Sequence, residues 1–184
     1  APMRLLAALV GFALCLSGGA AADQTDPALD GLFARLQATQ SQREARALES
    51  LIWERWLAAE DDDVRLLLLR GIAHMQRGEL DRALAAFDAV VERAPGFAEG
   101  WNKRATVYFL LDDYASSVAD IERTLALEPR HFGALSGLGQ IYLGLDDKRR
   151  ALKAFEAALG IDPHLEAVRA AVARLRKELE GDPT

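Results

Sequence analysis

Pro95, Pro129 and Pro163 stand 34 residues apart, and the segments they close can be laid on one another almost residue for residue. A fixed period of this size restricts the chain to a stack of helical units. One such unit is too small to bury its own apolar face and must share it with its neighbours. The period runs through 64–97, 98–131 and 132–165. From Asp26 onward the apolar spacing is helical, and no stretch alternates with period two for long enough to make a strand. The expected class is all-α.

Within each unit the residue types meet the demands of two close-packed antiparallel helices. Gly71, Ala105 and Gly139 align, as do Ala83, Ser117 and Ala151. Small residues there let the paired axes approach to the usual spacing of about 8 to 10 Å. Beside them align Leu67, Trp101 and Leu135; His74, Tyr108 and Tyr142; and Phe87, Ile121 and Phe155. Gly78-Glu79, Asp112-Asp113 and Asp146-Asp147 mark the turns, where acids cap free amides and meet the positive end of the second helix. Ala94-Pro95, Glu128-Pro129 and Asp162-Pro163 end the units, because proline cannot continue the helix before it.

This pattern resembles the tetratricopeptide repeat, whose consensus places Trp, Leu, Gly, Tyr, Ala, Phe, Ala and Pro at fixed offsets. The third unit carries Leu138, Gly139, Tyr142, Ala151, Phe155, Ala158 and Pro163; the first carries Gly71, Ala83, Phe87 and Pro95; the second carries Trp101, Tyr108 and Pro129. The resemblance implies an α-α superhelix of three repeats with a concave wall built from the first helix of each. Residues corresponding to that wall are Arg65, Leu68, Ile72 and Met75, then Glu99, Asn102, Thr106 and Phe109, then Gly133, Ser136, Gln140 and Leu143. The mixture of apolar and amide side chains suits an extended peptide or an amphipathic helix. Chaperone-type members hold a C-terminal carboxylate with lysines, asparagines and an arginine; no register here reproduces that set, so no such clamp is expected. A rival reading packs the apolar wall residues against the N-terminal hairpin or a second copy, because an exposed apolar patch usually has an occupant.

Residues 26–59 read as a helical hairpin, either a degenerate repeat or a separate cap. Leu29, Leu32, Phe33 and Leu36 recur at helical spacing, Ser41 with Glu44 makes a capping box, and Leu48, Leu51, Ile52 and Leu57 line one face with Trp53 and Trp56 beside them. The Trp pair is expected to serve core or inter-repeat packing rather than a binding patch. After Pro163, Leu165, Val168, Val172, Leu175 and Leu179 form a stripe suited to a capping helix over 166–181, whose outer face stays polar.

Residues 1–22 have the order of a secretory signal: Arg4, an apolar run from Leu5 to Leu16, then small residues to Ala22, with cleavage expected after Ala22. The strongly apolar part is shorter than the roughly 20 residues needed to span a bilayer. The expectation is a periplasmic or secreted protein with no membrane insertion after cleavage; the alternatives are an uncleaved anchor or a lipid on Cys15. Cys15 is the single cysteine, so the mature chain can form no disulfide.

A formal charge of −6 argues against nucleic acid or an anionic membrane as the main partner. His74, His131 and His164 have no metal-ligand spacing; His74 is expected to pack and the other two to be exposed. Gly137-Leu138-Gly139 lies mid-helix and is no phosphate loop, and Asp61-Asp62-Asp63 reads as a helix start rather than a calcium loop. No catalytic constellation stands out, so the expectation is a non-enzymatic scaffold without cofactor. It would bind another envelope protein, or as the alternative form a homodimer through Phe109 and Leu143. An enzyme with its site in the hairpin is the remaining rival.

Overall fold

In the computed structural model, which describes residues 23–181, nine α-helices are present among the described residues and no strand. They are α1 (Ala28–Ala38), α2 (Gln42–Leu57), α3 (Asp62–Gln76), α4 (Leu80–Arg93), α5 (Ala98–Leu110), α6 (Tyr114–Leu127), α7 (Phe132–Gly144), α8 (Lys148–Ile161) and α9 (Glu166–Glu180). The signal-like segment 1–22, and Cys15 with it, lies outside the described residues. None of the described helices is long and apolar enough to cross a membrane.

From α3 onward the helices form antiparallel pairs, α3 with α4, α5 with α6 and α7 with α8, each pair stacked on the next. Close approach within a pair depends on the small residues. A Cβ at Gly71 would fall 2.5 Å from the Phe87 ring, and one at Gly139 would run into Phe155. Side chains of ordinary size would push the axes apart, and the large apolar neighbours fill that space instead.

The turns between paired helices are built alike. Gly78, Asp112 and Asp146 all adopt positive φ, at 72°, 59° and 56°. Glycine takes this conformation freely and aspartate tolerates it. The next residue caps the second helix: Asp113 accepts from the Ser116 amide and Asp147 from the Arg150 amide. Glu79, one methylene longer, makes no such bond and turns instead to His74 and Arg77. Those contacts, the His74 hydrogen bond foremost, pull the Glu79 carboxyl down to about 2. Asp61 opens α3 by accepting from the amides of Asp63 and Val64.

The stack closes on α9, whose Val172 and Leu175 bury against Ala151 and Phe155, with Arg169, Arg174 and Lys177 exposed. The hairpin α1–α2 does not continue the stack at its other end. Its buried face, Leu29, Phe33, Leu36, Ala45, Leu48, Ile52 and Trp56, packs on Phe132, Ile161 and Leu165. Leu51, read from the sequence as part of that face, is exposed, and Trp56 takes the inner position.

Candidate functional site

The hairpin lies along the joints between repeats. Gln24 donates to the Gly96 carbonyl and accepts from the Ala98 amide. Arg130 reaches Asp30 at 2.7 Å and sits 4.5 Å from the Phe33 ring centre. Gln37 donates to the Gly160 carbonyl and Gln42 to that of His164. Its anchor is aromatic: Trp56 stacks on His131 at 4.1 Å, and Trp53 meets His131 and Phe132 edge-on at 5.4 and 5.8 Å. The Trp53 ring fills the space where Gly133 lacks a side chain.

Beneath this lid lies a buried polar cluster. The Ala134 amide donates to His131 Nδ1, so Nε2 carries the ring proton and donates to Glu99 Oε2 at 2.8 Å. Lys103 Nζ lies 3.0 Å from Glu99 Oε1 and 5.3 Å from the Trp53 ring centre. Burial pushes the Glu99 carboxyl up, but the His131 bond and the Lys103 charge outweigh it and hold it below its ordinary value. His131 is therefore buried, contrary to its expected exposure. As the α7 N-cap it points inward, and Trp56 covers it. His164 is half-buried, 3.0 Å from the Leu36 carbonyl, for the same reason: the hairpin runs over the joint that carries it.

The cluster divides the expected wall. Glu99 lies under the hairpin, and Leu68 is wholly buried in the first repeat's core, so neither lines an open surface. Ile72 and Met75 are half-buried against that core and Leu143 against the last repeat. Arg65 stands outside, paired with Asp62 at 2.6 Å. Ser136 donates to the Phe132 carbonyl.

Five of the expected residues do come together, Gly133 among them. Asn102, Thr106, Phe109 and Gln140 border a pocket of ≈ 110 Å³ between α5, α6 and α7, floored by Ala105, Ile121 and Ile141. Asn102 is fixed by its bond to Glu99 Oε2 at 3.1 Å, and Gln140 stands exposed at the rim. The site is an apolar hole with an amide rim. Among the described residues, no group of His, Cys, Asp or Glu could hold a metal ion.

Sequence reasoning missed Arg104. It grips Asp120 with two nitrogens at 2.7 and 2.8 Å and Asp88 with a third at 2.9 Å, tying α4, α5 and α6 together. The Asp120 bond leads in holding its proton more tightly than usual. Both partners are 16 residues away, so no local spacing announces the bridge.

Residues 64–107 and 102–166 match the tetratricopeptide repeat. A TPR repeat-containing protein of Rhizobium etli is 33% identical over 156 residues, spanning 85% of this chain and 76% of that protein. The Hsp70-Hsp90 organizing protein of Triticum aestivum is 29% identical over 114 residues, which is 62% of this chain but 20% of that protein. Among solved structures, the first TPR of Spaghetti (RPAP3) bound to the HSP90 peptide SRMEEVD has a TM-score of 0.62 at 20% identity, covering 66% of this chain and 97% of that one. MamA gives 0.60 at 17% identity, covering 74% and 84%. At such identities the likeness is one of fold. With repeat matches across its helical stack and a relative aligned over most of both lengths, the chain belongs to the tetratricopeptide repeat family.

Proposed function

We propose that this chain is a non-catalytic scaffold that holds a segment of another envelope protein against the open part of its concave wall. The pocket between α5, α6 and α7 carries the reading. Its ≈ 110 Å³ is well below the roughly 300 Å³ and upward of small-molecule sites. One apolar side chain of an extended peptide or amphipathic helix fits it, while Thr106 and Gln140 meet polar groups at the rim. Packed helices hold the wall in place beforehand, so binding orders little beyond the ligand. The peptide bound to the RPAP3 domain supports a protein segment as the class of ligand. Export rests on the signal-like order of residues 1–22. A mature N-terminus at Asp23 in the periplasmic or secreted fraction is expected by mass spectrometry, and retention of residues 1–22 there overturns that part.

A photo-crosslinker at Gln140 in the exporting cell is expected to trap a partner. Phe109→Ala should weaken the purified complex about 10-fold, as for a buried anchor. Its helix content and melting should first be shown to be preserved. Trapping from exposed Glu122 on α6, with none from Gln140, would place the interface on the opposite side and end the groove reading.

A further inference from the structure

We infer that α3 docks antiparallel on α3 of a second copy of this chain, across a two-fold axis, through Leu66 and Leu69. The period shows what this face is for. Leu66 corresponds to Gly100 and Ala134, and Leu69 to Lys103 and Gly137. Gly100 lies against Val90 of α4, Ala134 is buried in one cluster with Ile121, and Gly137 faces Ile121 of α6. Three of the four counterparts therefore pack on the second helix of the preceding repeat, while Lys103 turns to Glu99 and the Trp53 ring.

Among the described residues, repeat one has no helical pair stacked before it. The buried face of α2 is directed at α1 and the joints, as described above. Leu66 and Leu69 are left 58% and 55% exposed, where a terminal helix of a stack would need polar residues. Leu66 lines a pocket of ≈ 210 Å³ together with Asp63, Leu67, Arg70 and Arg93.

Charge selects the occupant. The helix opens on Asp62 and Asp63, with Arg65 paired to Asp62, carries Arg70 past its middle and is capped by Arg77. When Leu66 of each copy meets Leu69 of the other, Asp63 of one helix comes beside Arg70 of the other, twice over by symmetry. The antiparallel arrangement also sets opposite helix dipoles together. Three charges of this helix are already engaged within the chain, Asp62 with Arg65 at 2.6 Å, Asp63 with Arg93 at 3.4 Å and Arg77 with Glu79 at 3.3 Å, and of these Asp63 stays largely exposed and open to a second cation. Stacking head to tail on α9 of another copy fits poorly, because the outer side of α9 carries Arg169, Arg174, Arg176 and Lys177, which would lose water against leucine. A two-fold contact closes on itself and stops at two copies.

Sedimentation of the purified full chain over a concentration series tests this. The expected result is a reversible dimer that Leu66→Lys or Leu69→Lys weakens at least about 10-fold, with helix content by circular dichroism unchanged. Asp63→Arg and Arg70→Glu should each weaken it alike, since each sets like charges face to face. Mixing these two variants should restore a mixed dimer of near-normal affinity, a rescue that a merely damaged fold cannot give. A monomer at every concentration, a dimer untouched by Leu66→Lys, or open-ended growth into longer assemblies would each overturn the proposal. The second of these would direct attention back to Phe109 and Leu143.

Discussion

At Gly71 and Gly139 a single hydrogen stands where any other residue would set a methyl against a phenylalanine ring. Gly160, also helical, has open space at the same point. The two kinds of glycine should answer oppositely to one substitution. Gly139→Ala is expected to cost about 1 to 3 kcal/mol by overpacking. Gly160→Ala is expected to add roughly 0.5 to 1 kcal/mol, because it only removes freedom from the unfolded chain. Urea unfolding of both variants gives the comparison; equal signs would show that the close approach of α7 and α8 is not what Gly139 serves. Alignment of Gly71, Ala105 and Gly139 was enough to foresee the contact. The burial of His131 was not legible, since its partner Glu99 is 32 residues away and its cover, Trp56, comes from outside the repeats.

The hairpin is the element whose placement the sequence left open. Helical spacing was sufficient to read α1 and α2, and the expected Ser41 cap is present, accepting from the Glu44 amide. The Glu44 side chain does not complete the reciprocal box, however; it bonds Arg35 and Thr39 across the turn of the hairpin. Those local contacts fold the hairpin, and Asp26 with Arg55 at 2.6 Å ties its open end. Docking is a separate matter, carried by Trp53 and Trp56 on His131 and Phe132. Trp56→Ala should therefore cost about 3 to 5 kcal/mol, in the range for truncating a buried tryptophan. It should also leave the repeats folded, visible as loss of amide-exchange protection in α1 and α2 ahead of α5 to α8. Uniform loss across all helices would show that the hairpin and the stack are one cooperative unit.

On the scale of the molecule, one period generates the stack and two exceptions give it its surfaces. The hairpin runs along the joints at one edge of the stack and leaves the Phe109 and Gln140 pocket open; among the described residues no pair precedes α3, which leaves Leu66 and Leu69 exposed. Wall positions were legible as a phase, since Asn102, Thr106, Phe109 and Gln140 follow from the spacing of the prolines and from the family resemblance. Leu68 and Glu99 occupy the same phase and are nevertheless buried, one by its own repeat and the other by the hairpin. By itself the sequence determined the class, the helices, the close contacts within each repeat and the acid-marked turns. All of these depend on residues near in the chain or related by a constant offset. The tertiary structure alone decided where the hairpin rests, which wall residues stay open, and how Arg104 bridges three helices. Those depend on pairs with no fixed separation, and a period carries no information about what happens where it stops.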